Sequence, residues 1–225
     1  MIKFEYTEVM NFAGAFRGMR NPLNSWDKSD SDTVVEYDSN DEPIKSFDIG
    51  KSDLDLAQRL IKAGSDHRKF MRQILVSVDI TAPLYWWKEF DTYKVGTVAN
   101  SCSTMHTIHK KEFTFEAFSC EHLGEDVIVN GKSVNVARDC LRQTINVLNT
   151  ARQWYIDNGK KNLWYVMIQL LPESYNQKRT VTLNYEVLRN IYGSRRNHKL
   201  TEWSEGFISW IKTLPYSEEL ICYDL

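Results

Sequence analysis

Between Val134 and Tyr155 the apolar residues Ala137, Leu141, Ile145, Leu148, Ala151 and Tyr155 recur at intervals of three and four. Residues so spaced share one face of a 3.6-residue turn, so this stretch must be a long helix with a buried stripe. Such a helix needs a partner layer, and it is expected at the centre of the fold.

The flanking segments supply shorter elements. Residues 2–9 alternate apolar and polar side chains like a strand. Asn21 to Asp48 is rich in Asp, Ser and Asn, and its apolar runs Thr33-Val34-Val35 and Ile44-Lys45-Ser46-Phe47 flank the turn residues 38–43. That pattern predicts a surface hairpin, and 21–48 reads as a peripheral insertion from which 28–46 can be deleted without unfolding the chain. Ser52 and Asp55 resemble a capping box ahead of a helix over 53–63. Ile74 to Ile80 reads as a buried strand closed by Ala82-Pro83, and Leu84 to Tyr93 as a helix with an aromatic face of Tyr85, Trp86, Trp87 and Phe90. A helix over 163–171 ends at Pro172, and 180–183 is a short strand or extended link. Asn184 caps a helix to about Arg196, and Thr201 or Ser204 opens another through Ile211, stopped at Leu214-Pro215. The sum is an α+β fold, helices with a small antiparallel sheet, as a single domain over 1–225.

Composition narrows the function classes. Of 225 residues 42% are hydrophobic and 26% charged, enough for a packed core. A net charge of -2 argues against a nucleic-acid partner. It does not exclude a nucleotide, whose phosphate needs only a few local donors. No apolar run approaches the roughly 20 residues of a spanning helix, so no membrane partner is expected. The start lacks the apolar block of a signal peptide, and Cys102, Cys120, Cys140 and Cys222 form no Cys-x-x-Cys pair. Reduced thiols and a cytoplasmic location are the expectation. Gly-rich phosphate loops are absent. His106 and His109 lack a third ligand cluster, so no metal is expected. Cys102, between Ser101 and Ser103, reads as a nucleophile or as part of a polar turn.

The informative segment is Leu171-Pro172 followed by Asn184, Asn190 and Arg195, at intervals of twelve, six and five from the proline, with His198 and Glu202 beyond. These linked intervals, with Leu188 between the two asparagines, resemble the flavin-dependent thymidylate synthases. A second stretch, 82–106, is similar to the one leading into and through the family's signature Arg-His-Arg-x-x-Ser-x-Asn-Glu-x-Ser-x-Arg-Tyr. With one inserted residue near Ala99, Thr92-Tyr93-Lys94 stands where Arg-His-Arg would be, Thr97 takes the first Ser, and Asn100 and Ser103 are retained. Upstream, His67 falls at the family's Gly-His and Gln73 at a later flavin-side His.

The resemblance implies an enzyme that converts dUMP to dTMP with FAD, using methylenetetrahydrofolate and NADPH as co-substrates, in a homotetramer whose sites draw on several subunits. The face at 84–90 is a candidate contact surface. It implies cofactor-binding roles for His67, Gln73, Thr92, Tyr93, Lys94, Asn184, Asn190 and His198. Substrate binding would fall to Lys88, Glu89, Asn100, Ser103 and Arg195, with Ser103 and Arg195 nearest the chemistry. Plain structural roles stand beside these: a helix cap for Asn184, a dipole partner for Arg195, a turn for Ser103, an exposed loop position for His67. The departures cluster on the phosphate side. Lys88 and Glu89 replace an Arg and a Gln, Ser101 a Glu, and Met105 and Ile168 two arginines. Lys88, Lys94, Arg72 and Arg179 are the cations available to compensate.

Overall fold

The computed structural model of the chain describes residues 2–124 and 127–225. Its strands are β1 (Lys3–Met10), β2 (Asp32–Tyr37), β3 (Pro43–Asp48), β4 (Leu75–Pro83), β5 (Val98–Ser101), β6 (Val127–Val129), β7 (Lys132–Val134) and β8 (Asn176–Asn184). Its α-helices are α1 (Phe12–Arg20), α2 (Lys51–Lys62), α3 (Leu84–Phe90), α4 (Thr104–Thr107), α5 (Val136–Asn158), α6 (Lys161–Leu170), α7 (Tyr185–Arg195) and α8 (Ile208–Lys212). The fold is α+β, as the sequence predicts. A four-stranded sheet has the order β1-β4-β8-β5, while β2–β3 and β6–β7 are two-stranded antiparallel ribbons. No helix among the described residues is long and apolar enough to cross a membrane.

The chain divides into two compact units. The first comprises Ile2 and Lys3, Ile80–Thr92 and Asn100–Thr180; the second Phe4–Asp79, Tyr93–Ala99 and Val181–Leu225.

In the first unit α5 is the predicted long helix. Leu141, Ile145, Leu148 and Ala151 bury against Met167 of α6 and against Ile108, Phe113 and Phe118. Ala137, the first residue of the stripe, is exposed, and burial begins one turn later. The helix is not sheathed on all sides, since Val136, Val147, Trp154 and Ile156 are exposed on its other faces. Gly159 ends it in the left-handed conformation (φ 63°), its N–H returning to the Tyr155 carbonyl at 2.8 Å. Helix α3 buries Trp86, Trp87 and Phe90 almost completely within this one chain. That corrects the expectation that the 84–90 aromatic face is a subunit contact. Its rings are already core, with Trp86 stacked on Phe90 at 5.0 Å.

In the second unit α1 buries Phe12, Phe16 and Met19. The hairpin is present, with Thr33 opposite Phe47 and Val35 opposite Lys45, and a turn closed by the Asp38 carboxylate on the Asn40 and Glu42 amides. Its tip is exposed, but its root is part of the packing. Phe47 lies 5.9 Å from Phe12 and 5.5 Å from Phe16, and its carbonyl accepts the Tyr216 hydroxyl at 2.8 Å. The expected capping box of α2 does not form. Gly50 is the N-cap, and Asp30, from the approach to the hairpin, accepts the Ser52 and Asp53 amides at 2.8 and 3.0 Å. Ser52 Oγ instead accepts from Arg20 and donates to the Lys28 carbonyl, and Asp55 pairs with Arg59 one turn on. A carboxylate brought in through tertiary structure displaces the local cap. The same segment satisfies Asp53, a fully buried side chain that receives Arg20 Nε at 2.7 Å and the hydroxyls of Ser29 and Ser31 at 2.7 and 2.6 Å.

Candidate functional site

Within the second unit the predicted cap of α7 forms. Asn184 Oδ1 accepts the Val187 amide at 3.0 Å, satisfying one of the donors a helix leaves open at its start. With the oxygen so used, the amide nitrogen Nδ2 is what this buried side chain presents. It faces Gly96, whose φ is +76° and whose absent Cβ would stand 2.9 Å from Asn184 Nδ2 and 3.4 Å from Val187 Cγ2. Only glycine lets the backbone come this close in that conformation. The loop from Tyr93 to Thr97 therefore runs along α7, with Gly96 at the helix's first turn and Tyr93 at its last.

A cavity of about 390 Å³ opens there, lined by Asn184, Asn190, Gly96 and Val95 together with Ser65, Arg68, Arg72 and Glu186. Arg68 Nε lies 3.1 and 2.9 Å from the two oxygens of Glu186, a largely buried ion pair. Arg72 is exposed, with Nη2 3.3 Å from the Ser65 carbonyl. Arg68 and Glu186 were not anticipated from the sequence. Their only signal is the pair of arginines four apart just after His67. His67 itself is the exposed N-cap of a 3₁₀ turn (Arg68–Gln73), and Gln73 is exposed at the end of that turn, its carbonyl taken by Asn11 Nδ2 at 3.0 Å. Neither lines the cavity.

At the other end of α7, Arg195 Nε donates to the Tyr93 hydroxyl at 3.0 Å, and its guanidinium sits 5.0 Å from the Trp203 ring centre. His198 lies edge-on to Trp203 at 6.4 Å, and its Nδ1 accepts the Leu200 amide at 3.2 Å. Trp203 is held in place by a π-helical stretch (Glu202–Phe207) that buries it with Phe207. Tyr93 thus joins Arg195, 102 residues away in the sequence, and nearby His198 around Trp203. Lys94, beside it in the chain, is exposed.

The other predicted residues belong to the first unit. Lys88 is ion-paired with Glu173. Arg179 pairs with Asp91 at 2.7 Å and lies 4.2 Å above the Trp87 ring. Neither cation available there to replace a missing arginine is free. Thr92 closes α3 by donating its hydroxyl to the Glu89 carbonyl at 2.7 Å. Asn100 is exposed in β5. Ser103 is the N-cap of α4, accepting the His106 amide at 3.2 Å. Met105 is exposed, and Ile168 packs on the apolar cluster of this unit. Among the described residues no three His, Cys, Asp or Glu side chains group as metal ligands.

No protein-family model matches the chain, and no curated protein matches it in sequence. Solved structures do match. Thymidylate synthase X (ThyX) from Helicobacter pylori, in two structures with FAD and dUMP, superposes with TM-scores of 0.63 and 0.64 at 16% identity, covering 98% of this chain and 97% of that one. The UMP/dUMP methylase PolB from Streptomyces cacaoi, bound with 5-Br dUMP, gives 0.61 at 16% identity, over 99% and 95% of the two chains. This chain has the ThyX fold. Asn184 with its glycine contact and Arg195 with its aromatic partners lie in the second unit, while Lys88 and Arg179 of the first are ion-paired.

Proposed function

We propose that the chain is a flavin-dependent enzyme that methylates a pyrimidine nucleotide, in the manner of dUMP to dTMP, with FAD as cofactor and methylenetetrahydrofolate and NADPH as co-substrates. The observation that carries this reading is the cleft at the head of α7, where Asn184 Nδ2 stands against a backbone opened by Gly96 and Asn190 joins it. Its 390 Å³ lies at the low end of the roughly 300–1,000 Å³ typical of small-molecule sites, which suits one ring system rather than a whole dinucleotide. A neutral amide donor beside open backbone fits the polar edge of a flavin ring. Asn184 and Asn190 would hold it, and Tyr93, Lys94 and His198 would serve the same cofactor. When bound, the flavin supplies the hydride.

The protein's own part is positioning and electrostatics. Arg195 is oriented by the Tyr93 hydroxyl and the Trp203 face, so its guanidinium is held in place for a uracil oxygen. Ser103 and Asn100 offer polar groups to a nucleotide, while Lys88 and Glu89 bring an ion-paired ammonium and a carboxylate where the family has two donors. Weak dUMP binding follows, since each charged hydrogen bond lost is worth about 1.5–3 kcal/mol.

The absorbance spectrum of the purified protein with and without added FAD tests the flavin half, with a bound, red-shifted flavin expected. Growth of a thymidine-requiring strain carrying this chain tests the methylation half. A colourless protein that leaves the FAD spectrum unchanged overturns the reading.

A further inference from the structure

The cleft at the head of α7 also holds donors that the proposed flavin contacts leave unused. Arg68 and Arg72 both line it. Arg68 gives only Nε to Glu186, and its two terminal nitrogens make no hydrogen bond among the described residues. Arg72 makes a single one there, from Nη2 to the Ser65 carbonyl at 3.3 Å, and no ion pair. The only carboxylate lining the cavity is Glu186, so two guanidinium groups against one acid leave it net positive. The field reaches Arg189 behind it, whose pKa is lowered first by burial and then by the charge of Arg68. Arg189 itself turns away, donating to the Ile221 carbonyl at 3.0 Å. Forked N–H donors converging on a small cavity match the oxygens of a phosphate ester better than any neutral group.

We infer that Arg68 and Arg72 form a phosphate-ester recognition site in this cleft, taking the phosphate of the flavin nucleotide. The flavin assignment rests on the function proposed above, whereas the phosphate site does not.

The test is titration of four ligands, FMN, riboflavin, UMP and uridine, followed by flavin or tryptophan fluorescence. Each is added to the wild type, to Arg72→Gln and to Arg68→Lys, at low and high salt. Arg72 is exposed, so Arg72→Gln should melt like the wild type, and Arg68→Lys keeps a cation opposite Glu186 while removing the fork. The wild type should bind FMN roughly tenfold or more tighter than riboflavin, as one or two charged hydrogen bonds provide. Salt should shrink that ratio. Arg72→Gln should weaken FMN roughly tenfold and leave riboflavin unchanged, with Arg68→Lys acting in the same direction. If neither flavin binds but UMP exceeds uridine in the same Arg72-dependent way, the flavin reading falls and the phosphate site stands. Equal affinity for ester and nucleoside in both pairs, a ratio untouched by Arg72→Gln, or no binding of any of the four overturns the inference.

Discussion

Asn184 uses the two ends of one amide for different purposes. The oxygen caps α7 and the nitrogen faces the cleft. Two substitutions separate these roles. Asn184→Ala removes both, so it should lower stability by about 1 kcal/mol, the usual value of an N-cap, and weaken flavin binding as well. Asn184→Asp keeps the cap oxygen but replaces the donor with an acceptor. Its urea midpoint should stay near the wild type while its FAD affinity falls. Parallel denaturation and titration decide this, and an aspartate variant that keeps the wild-type FAD affinity would show that the nitrogen makes no flavin contact. On the substrate side, Met105 is exposed and its side chain can be replaced without disturbing the core. Met105→Arg should strengthen dUMP binding, read by calorimetry, with FAD affinity unchanged. Tight dUMP binding in the wild type, indifferent to this change, would mean that the phosphate is held elsewhere.

At the scale of elements, the hairpin is two structures in series. Its outer part, beyond the Val35–Lys45 pair, is exposed, and removing residues 37–42 with a two-residue turn in their place should leave the melting temperature nearly unchanged. The deletion of 28–46 that the sequence suggested takes with it Ser29, Asp30 and Ser31, the cap of α2 and two partners of buried Asp53. It should destabilise by several kcal/mol, since breaking a buried charge network costs about 3–5 kcal/mol. Asp53 also sets an acid limit. Burial raises its pKa, but the Ser31 and Ser29 hydroxyls and Arg20 outweigh burial, and the net shift is downward. A carboxyl whose folded pKa is depressed stabilises above its unfolded pKa, about 4, and loses that contribution as pH falls through the lower folded value. Asp53→Asn should therefore be less stable than the wild type at neutral pH, with the gap closing below about pH 4. Denaturant titrations across that range would show it, and a constant gap would mean that the pair contributes no charge-dependent stability.

For the whole molecule, the proposed assembly is a homotetramer. Because Trp86, Trp87 and Phe90 are buried within one chain, the assembly must use other surfaces. Light scattering should give about four times the 26.4 kDa of one chain at micromolar concentration. A monomer would remove the reading of a site shared among subunits. Elements whose signals are local can be read from the chain alone. The apolar stripe of α5, the cap of α7 and the turn of the hairpin were all legible because periodicity, a capping side chain and turn residues act within a few positions. The intervals from Pro172 through Arg195 pointed to the ThyX fold, and Asn184, Asn190 and Arg195 all fall on the end of β8 and on α7. The remainder came from long-range packing. Asp30 displaced the Ser52 cap across 22 residues, Tyr93 met Arg195 across 102, and Arg68 joined Glu186 across 118 in the lining of the cleft. Contacts at such separations depend on how layers pack, and nothing in the local chemistry of either partner announces them.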